Sequence, residues 1–365
     1  MPSFNKTYKL PFKFNIPSYT QSYLQKKSLF ERFIKFIKRY LYIVLKGQKN
    51  LEIFNIQSKH KKILWINISA PSLGDSLMDL SSRIMIADKY VDLFTHINNA
   101  HIYTDDHLFN HVYTKIIDVE KFKYDLVIID SYSSRSIDIK SKIAPKTSYV
   151  GMFGYYNGPE VNRVLFSFHQ MNHLLGYVKS ENEIKTLAKK SISISREDQD
   201  IVTNISLPDK YITIALGGEW RYRTYNKWEE VIDRLIFNDN ELNIVFVGSK
   251  NARSTSKELC EKFPQNNIFN FVEKLSFNQT AEIIGRSQAI LCCDGGLMHA
   301  ANAVNAKIIP LFAKLTPLMQ LTDLTNVFPL YDKKDVNNIS VKEIMEKYYE
   351  ATNPSSVHPQ GEQCP

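Results

Sequence analysis

AILCCDGGLMHAANAVNAKIIPLF, residues 289–312, reads as strand, tight turn, helix and strand. AILCC is a short apolar run without polar alternation, as a strand buried on both faces requires. Asp294, Gly295 and Gly296 interrupt it, the small residues from Leu297 suit a helix lying close to a sheet, and KIIPLF (307–312) is a second buried run. Two such strands joined through a helix are parallel. The alternation extends N-terminally through LNIVFVG (242–248) and YITIAL (211–216), with helices expected around Lys227–Phe237, near Thr255–Lys262 and near Asn278–Arg286. It occurs again upstream: KILWINI (62–68), a helix from Ser76 to about Lys89, YDLVIID (124–130), and weaker strands near Leu93–Ile97 and Ser148–Met152.

The expected fold is α/β, with two Rossmann-like, doubly wound domains facing across a cleft. Residues 1–60 form an irregular arm and a basic amphipathic helix, 61–180 the first domain, 181–209 a linker region within the polar stretch Val178–Asp209, 210–335 the second domain, and 336–365 a terminal helix (Ser340–Glu350) and a tail disordered from Asn353. In the N-terminal helix, Phe30, Phe33, Ile34, Ile37, Leu41 and Val44 make the apolar stripe while Lys35, Lys38 and Arg39 lie largely off it. That pattern suits either an anionic membrane surface or the face of the first domain.

Composition narrows the function classes. A chain of 365 residues holds about two domains, and 44% apolar with 23% charged residues is ordinary for a globular protein. The surplus of 46 basic over 38 acidic residues, +8, favours anionic partners. Cys260, Cys292, Cys293 and Cys364 are too irregular for a disulfide framework and point to a reducing cytosol. No CxxC pair or HExxH supports a metal site, and no GxGxxG follows a strand, which sets aside a Rossmann dehydrogenase. There is neither an export signal nor a run of about 18 apolar residues for a membrane span. Nucleic-acid binding is disfavoured, since no RRM, KH or zinc-finger pattern occurs and basic residues read as spread along the chain.

Ligands of open parallel sheets bind beyond the carboxyl ends of the strands. After AILCC, the amides of Gly295, Gly296 and Leu297 stand where a helix N-terminus holds an anion. Asp294 there either accepts sugar hydroxyls or caps the helix, and His299 is placed to donate to phosphate. After YITIAL come Gly217 and Gly218, then Arg221, Arg223 and Lys227, a cation set fit for a pyrophosphate or simply a solvated loop. Trp228 reads as a helix-packing anchor rather than a base-stacking platform. After KILWINI, the loop SAPSLGD (69–75) ends with Gly74, which permits a tight turn, and Asp75, either a helix cap or a general base.

In this order the three stretches resemble glycosyltransferase family 9, the bacterial lipopolysaccharide heptosyltransferases of GT-B fold. Members typically carry a GD near the end of the first strand, here Gly74 and Asp75, and a late D-[TG]-G-x-x-H, here Asp294, Gly295, Gly296 and His299. A small-residue helix, a strand and a TP turn follow, here ending in Thr316 and Pro317, and DLVIID with Arg135 shortly after is also similar. The resemblance covers residues 62 to about 320. The chain departs from it in having Asn226 where a lysine often precedes the tryptophan by two, in lacking an acidic residue over Ser249–Ser254, and in a SAPSLGD loop one residue longer.

The resemblance implies an inverting transfer of heptose from ADP-heptose to the Kdo region of lipopolysaccharide or lipooligosaccharide, with Asp75 as general base. Asp294 would bind the heptose, and Gly295, Gly296, Leu297, His299, Lys227, Arg223, Arg221 and Gly217 the rest of the donor. Arg135, Ser69 and Gly74 would meet an anionic Kdo–lipid A acceptor. ADP-heptose is then a co-substrate, no tightly bound cofactor or divalent metal is called for, and the setting is cytoplasmic, peripheral on the inner membrane. Transfer from another nucleotide sugar, nucleotide-sugar epimerisation and a non-catalytic homologue are the alternatives on the same architecture.

Overall fold

The computed structural model describes residues 4–16, 21–22, 28–70, 72–121, 123–264 and 267–352. The chain divides into two compact units, Met1–Ser195 with Leu318–Thr322 and Arg196–Pro317 with Asp323–Pro365.

The first unit runs β1 (Gln21–Ser22), α1 (Leu29–Leu45), β2 (Lys62–Asn67), α2 (Leu73–Asp79), β3 (Tyr90–Thr95), α3 (Ile97–Tyr103), β4 (His111–Tyr113), β5 (Leu126–Ser131), α4 (Ser134–Ile143), β6 (Tyr149–Gly154), β7 (Glu160–Val161), α5 (Arg163–Leu174) and α6 (Glu181–Leu187). Its five-stranded parallel sheet has the order β4-β3-β2-β5-β6, while β1 and β7 form a separate antiparallel pair. Leu64, Ile66, Val127 and Ile129 are fully buried, as their position in central strands covered on both faces demands.

The second unit runs α7 (Arg196–Asn204), β8 (Ile212–Ala215), α8 (Trp228–Asn238), β9 (Ile244–Val247), α9 (Arg253–Lys262), β10 (Ile268–Asn270), α10 (Phe277–Arg286), β11 (Ile290–Cys293), α11 (Gly296–Ala303), β12 (Ile308–Ala313), β13 (Leu330–Asp332) and α12 (Val341–Thr352). Its six strands are parallel in the order β10-β9-β8-β11-β12-β13. Each unit is thus a Rossmann-like parallel sheet with crossover helices.

Three expectations change. The helix read from Ser76 to about Lys89 starts earlier and stops at Asp79, giving way to a 3-10 turn over Ser81–Ile86. Ser72, not Asp75, is its N-cap: the Ser72 Oγ accepts the Asp75 amide at 3.3 Å. At the break the Ser81 hydroxyl bonds the Met78 carbonyl at 2.7 Å, the competition through which serine ends helices. The polar stretch Val178–Asp209 holds two helices, α6 and α7, the first opened by a Ser180–Glu183 capping box. The arm is in part packed: Phe12 and Ile16 are buried, and Phe12 lies edge-on to Phe166 and stacked on His169, whose imidazole burial pushes down to about 4.

α1 begins at the predicted place, with a Ser28–Glu31 capping box. Only Phe36 and Ile43 of this helix are buried. Among the described residues no helix is long and apolar enough to cross a membrane. Cys260, Cys292 and Cys293 are free thiols, and the tail from Asn353, with Cys364, lies outside the described residues.

Candidate active site

Each sheet reverses its direction of growth once, between β2 and β5 in the first unit and between β8 and β11 in the second. At such a point the carboxyl ends of adjacent strands leave a crevice for a ligand. Every residue singled out from the sequence follows one of these four strands.

In the first unit, Asp130 near the end of β5 is buried and satisfied on both oxygens. Its Oδ2 accepts the amides of Ile68 (2.7 Å) and Ser69 (2.5 Å), and its Oδ1 those of the Ser131 amide (2.5 Å) and the Ser136 hydroxyl (2.7 Å). One carboxylate therefore ties the loop after β2 to the turn after β5. The Ser69 Oγ lies 3.1 Å from that of Ser131, and Asn99 donates to the Ala70 carbonyl at 2.8 Å. Gly74 is buried in the first turn of α2, and Arg135 is exposed in the first turn of α4, whose N-cap is Ser133.

Asp75 is half-buried, with its Oδ1 3.3 Å from Nη1 of Arg163. Arg163, the first residue of α5, puts its fork on Asp79, Nε to Oδ1 at 2.7 Å and Nη2 to Oδ2 at 2.5 Å. Asp75 and Asp79 are one helical turn apart on the same face of α2. Burial pushes the Asp79 carboxyl up to about 6 against the pull of Arg163. The guanidinium is half-buried, and the loss of solvent works against its charge, but Asp79 and then Asp75 outweigh that and raise its pKa. A part-exposed carboxylate is thus oriented by an arginine that a buried carboxylate anchors. Sequence reasoning missed Asp79 and Arg163; only the four-residue spacing from Asp75 to Asp79 was there to be read.

In the second unit the loop after β8 is folded tightly on itself. Gly217 has φ +85°, and a Cβ on it would stand 2.8 Å from Asn251 Oδ1. A Cβ on Gly218 would be 2.6 Å from the Arg223 carbonyl oxygen, and the Gly218 carbonyl accepts from Asn251 Nδ2 at 2.9 Å. Arg223 Nη1 comes within 3.3 Å of Oδ2 of buried Asp294, so two site residues from separate stretches meet. Gly295 is the N-cap of α11, so the helix opens directly after Asp294. Gly295, Gly296 and Leu297 are half-buried at its start, whereas His299 is buried within it.

Lys227 makes a contact that spacing did not suggest. Its Nζ donates to the Asn337 carbonyl at 2.9 Å, and the Asn226 amide donates to Asn337 Oδ1 at 2.8 Å, so the pair braces the loop. Trp228 is buried edge-on to Tyr225, ring centroids 5.1 Å apart, a packing anchor as read. Arg221 is exposed. Two further residues were not foreseen: Lys314 directly after β12 and Glu273 after β10 hold left-handed backbones, φ +66° and +60°, as Tyr177 and Asn305 do elsewhere. Non-glycine residues pay for that geometry, and such strain gathers at functional sites. Lys314 Nζ sits 3.7 Å from the Tyr222 ring centroid, and Glu273 pairs with Arg253.

Residues 155–348 match the family model for glycosyltransferase family 9 (heptosyltransferase). The chain belongs to that family. A glycosyltransferase family 9 structure from Veillonella parvula superposes with a TM-score of 0.65 at 12% identity, covering 82% of this chain and 99% of that one. The Escherichia coli ADP-heptose lipopolysaccharide heptosyltransferase II gives 0.61 at 16% identity over 81% and 100%. The Escherichia coli heptosyltransferase WaaC with ADP gives 0.62 at 16% identity over 80% and 99%. At these identities the likenesses speak to the fold, which is that of the two-domain GT-B heptosyltransferases. No curated protein matches by sequence. As a family member with that fold, the chain is a glycosyltransferase.

Proposed function

We propose that this glycosyltransferase moves heptose from ADP-heptose, with inversion, to an anionic Kdo–lipid A type acceptor at the cytoplasmic face of the inner membrane. The observation that carries the reading is the orientation of Asp75 by the Arg163–Asp79 pair. A general base must be held in one position yet remain open to the substrate, and Asp75 is both. In this scheme the Asp75 carboxylate takes the proton of the acceptor hydroxyl while that oxygen bonds the anomeric carbon. The bond from that carbon to the diphosphate oxygen breaks, its electron pair leaving with ADP. A positioned base of this kind contributes about 100- to 10,000-fold.

The charge on departing ADP is met by fixed donors, the amides of Gly295, Gly296 and Leu297 at the start of α11, together with Arg221 from the loop after β8 and Lys314 from the turn after β12. Arg223 holds Asp294, the residue that would accept the heptose hydroxyls. Arg135 and Ser69 would face the acceptor. WaaC was solved with ADP, and the same nucleotide is expected here.

The test is release of ADP from ADP-heptose by the purified chain with and without a deacylated Kdo–lipid A acceptor, with product masses read in parallel. Acceptor-dependent release together with a heptose increment on the acceptor is expected. Turnover of a different nucleotide sugar would replace the donor, and an epimerised nucleotide sugar with no transfer would overturn the reading.

A further inference from the structure

α1 lies on the first unit through Phe36 and Ile43, buried in its core with Ile37 and Tyr40 packed against it, and through polar contacts beside them. Lys35 Nζ donates to Asn157, Arg39 Nη1 to the Gly154 carbonyl, and Lys46 Nζ pairs with Asp138, at 3.0, 3.2 and 2.7 Å. Its apolar stripe faces out: Phe30 is 71% exposed, Phe33 46%, Ile34 36%, Leu41 51%, Val44 42% and Leu45 82%. A helix that merely covered the sheet would turn polar side chains to water, whereas here these six apolar side chains stay exposed beyond the two that are buried. Contiguous exposed apolar surface of this kind marks an interaction face.

The occupant follows from charge. Contrary to the even spread expected from the sequence, residues 1–60 hold twelve Lys and Arg against Glu31 and Glu52, a net +10 where the whole chain carries +8, so residues 61–365 carry −2. Exposed Lys38 lies one turn from both Ile34 and Leu41 on the stripe's border, and exposed Lys6 sits 4.9 Å from the ring centroid of Phe54, itself exposed. A second copy of the chain would bring one such positive segment against another. A nucleic acid would find no use for an aliphatic stripe. An anionic bilayer satisfies both features at once, apolar side chains entering between headgroups and lysines meeting lipid charge.

We infer that α1 is an in-plane docking helix that seats the first unit on an anionic membrane through Phe30, Phe33, Ile34, Leu41, Val44 and Leu45. This shares with the proposed function only the membrane, and it stands on the geometry of α1 alone.

The experiment is flotation of the full chain with vesicles of phosphatidylcholine alone and of equal parts phosphatidylcholine and phosphatidylglycerol, without nucleotide sugar or saccharide acceptor. Either inference can then fail by itself. Binding to the anionic vesicles is expected, weakening with salt, about tenfold or more lower for Phe30→Ser with Leu41→Ser, and about fivefold lower for Lys38→Gln. The substituted positions are exposed, so an unchanged melting temperature accompanies these losses. Absence of vesicle binding, or binding indifferent to the α1 changes, overturns the inference. So does sedimentation showing a dimer, or gel shift showing a nucleic-acid complex, that the same two serines abolish.

Discussion

Lys140 offers a quantitative test of the first unit. Its ammonium is completely buried on α4, donates to Gln48 Oε1 just beyond the end of α1, and lies 5.1 Å from the Tyr149 ring centroid. Among the described residues no carboxylate forms an ion pair with it, and burial pushes its pKa down from the ordinary 10.5 to about 8. A lysine depressed in the folded state contributes stability that is fully present above 10.5 and lost as pH falls through about 8, because the unfolded chain binds the proton more tightly. The slope between those limits is about 1.4 kcal/mol per pH unit, so the whole effect is about 3 kcal/mol. Lys140→Met removes it, and leaves Gln48 Oε1 without its donor at a cost of about 1–3 kcal/mol. The two proteins should therefore be of similar stability near pH 7, with the wild type gaining about 2 kcal/mol on the variant between pH 8 and 9.5. Burial raises the thiols of Cys292 and Cys293, whose contribution falls with alkaline pH, but it is common to both chains and cancels. Urea unfolding at three pH values across this window reads the difference directly. A wild-type-minus-variant difference flat with pH would show that Lys140 titrates in the fold as it does in water, and the burial argument would be wrong.

Asp75→Asn should cut kcat about 100- to 10,000-fold while ADP affinity, measured by calorimetry, stays within a few-fold; a parallel loss of ADP binding would make Asp75 architectural. Arg163→Met should lower stability by about 2 kcal/mol, less than a fully buried pair because the arginine is about a quarter exposed, and reduce kcat more than it changes KM; unchanged kcat would sever Arg163 from the base. Gly218→Ala should weaken ADP by about tenfold or more, since its Cβ would meet the Arg223 carbonyl at 2.6 Å and push the loop open, and an unaltered Kd would refute that. Lys227→Met should lower the melting temperature by a few degrees and leave ADP affinity within a few-fold, because Nζ is spent on Asn337; a large loss of ADP binding would return Lys227 to the donor.

What the sequence made legible was local. AILCC, YITIAL and KILWINI are uninterrupted apolar runs, and the turn residues after them fall at the two points where the sheets reverse, so strand, turn and candidate site were read from the same few residues. β4, β10 and β13 are three residues each, too short to show a run, and escaped notice. Sequence spacing likewise showed Asp75 but not what aims it, for Arg163 lies 88 positions later and nothing in α2 calls for it. Lys227 read as a phosphate ligand, and its bond to Asn337 went unread because that residue is 110 positions away.

α1 shows the deeper limit. Periodicity establishes that a helix has an apolar stripe; it does not say which way the stripe points, because that is settled by partners elsewhere in the chain. Burial of Phe36 and Ile43, with Asn157, Gly154 and Asp138 taking the polar groups beside them, fixes the rotation of α1 and so turns the stripe outward. The buried pair stabilises the helix, and burial of the stripe is forgone. An arrangement that leaves so much apolar surface in water is favourable only if that surface is covered during function. The same residues that hold α1 to the first unit therefore set the direction of its docking face, and loosening them without a change of charge, for instance by Asn157→Ala, should weaken vesicle binding without altering one residue of the stripe. Binding unchanged by Asn157→Ala would mean that the stripe finds the membrane without that contact aiming it.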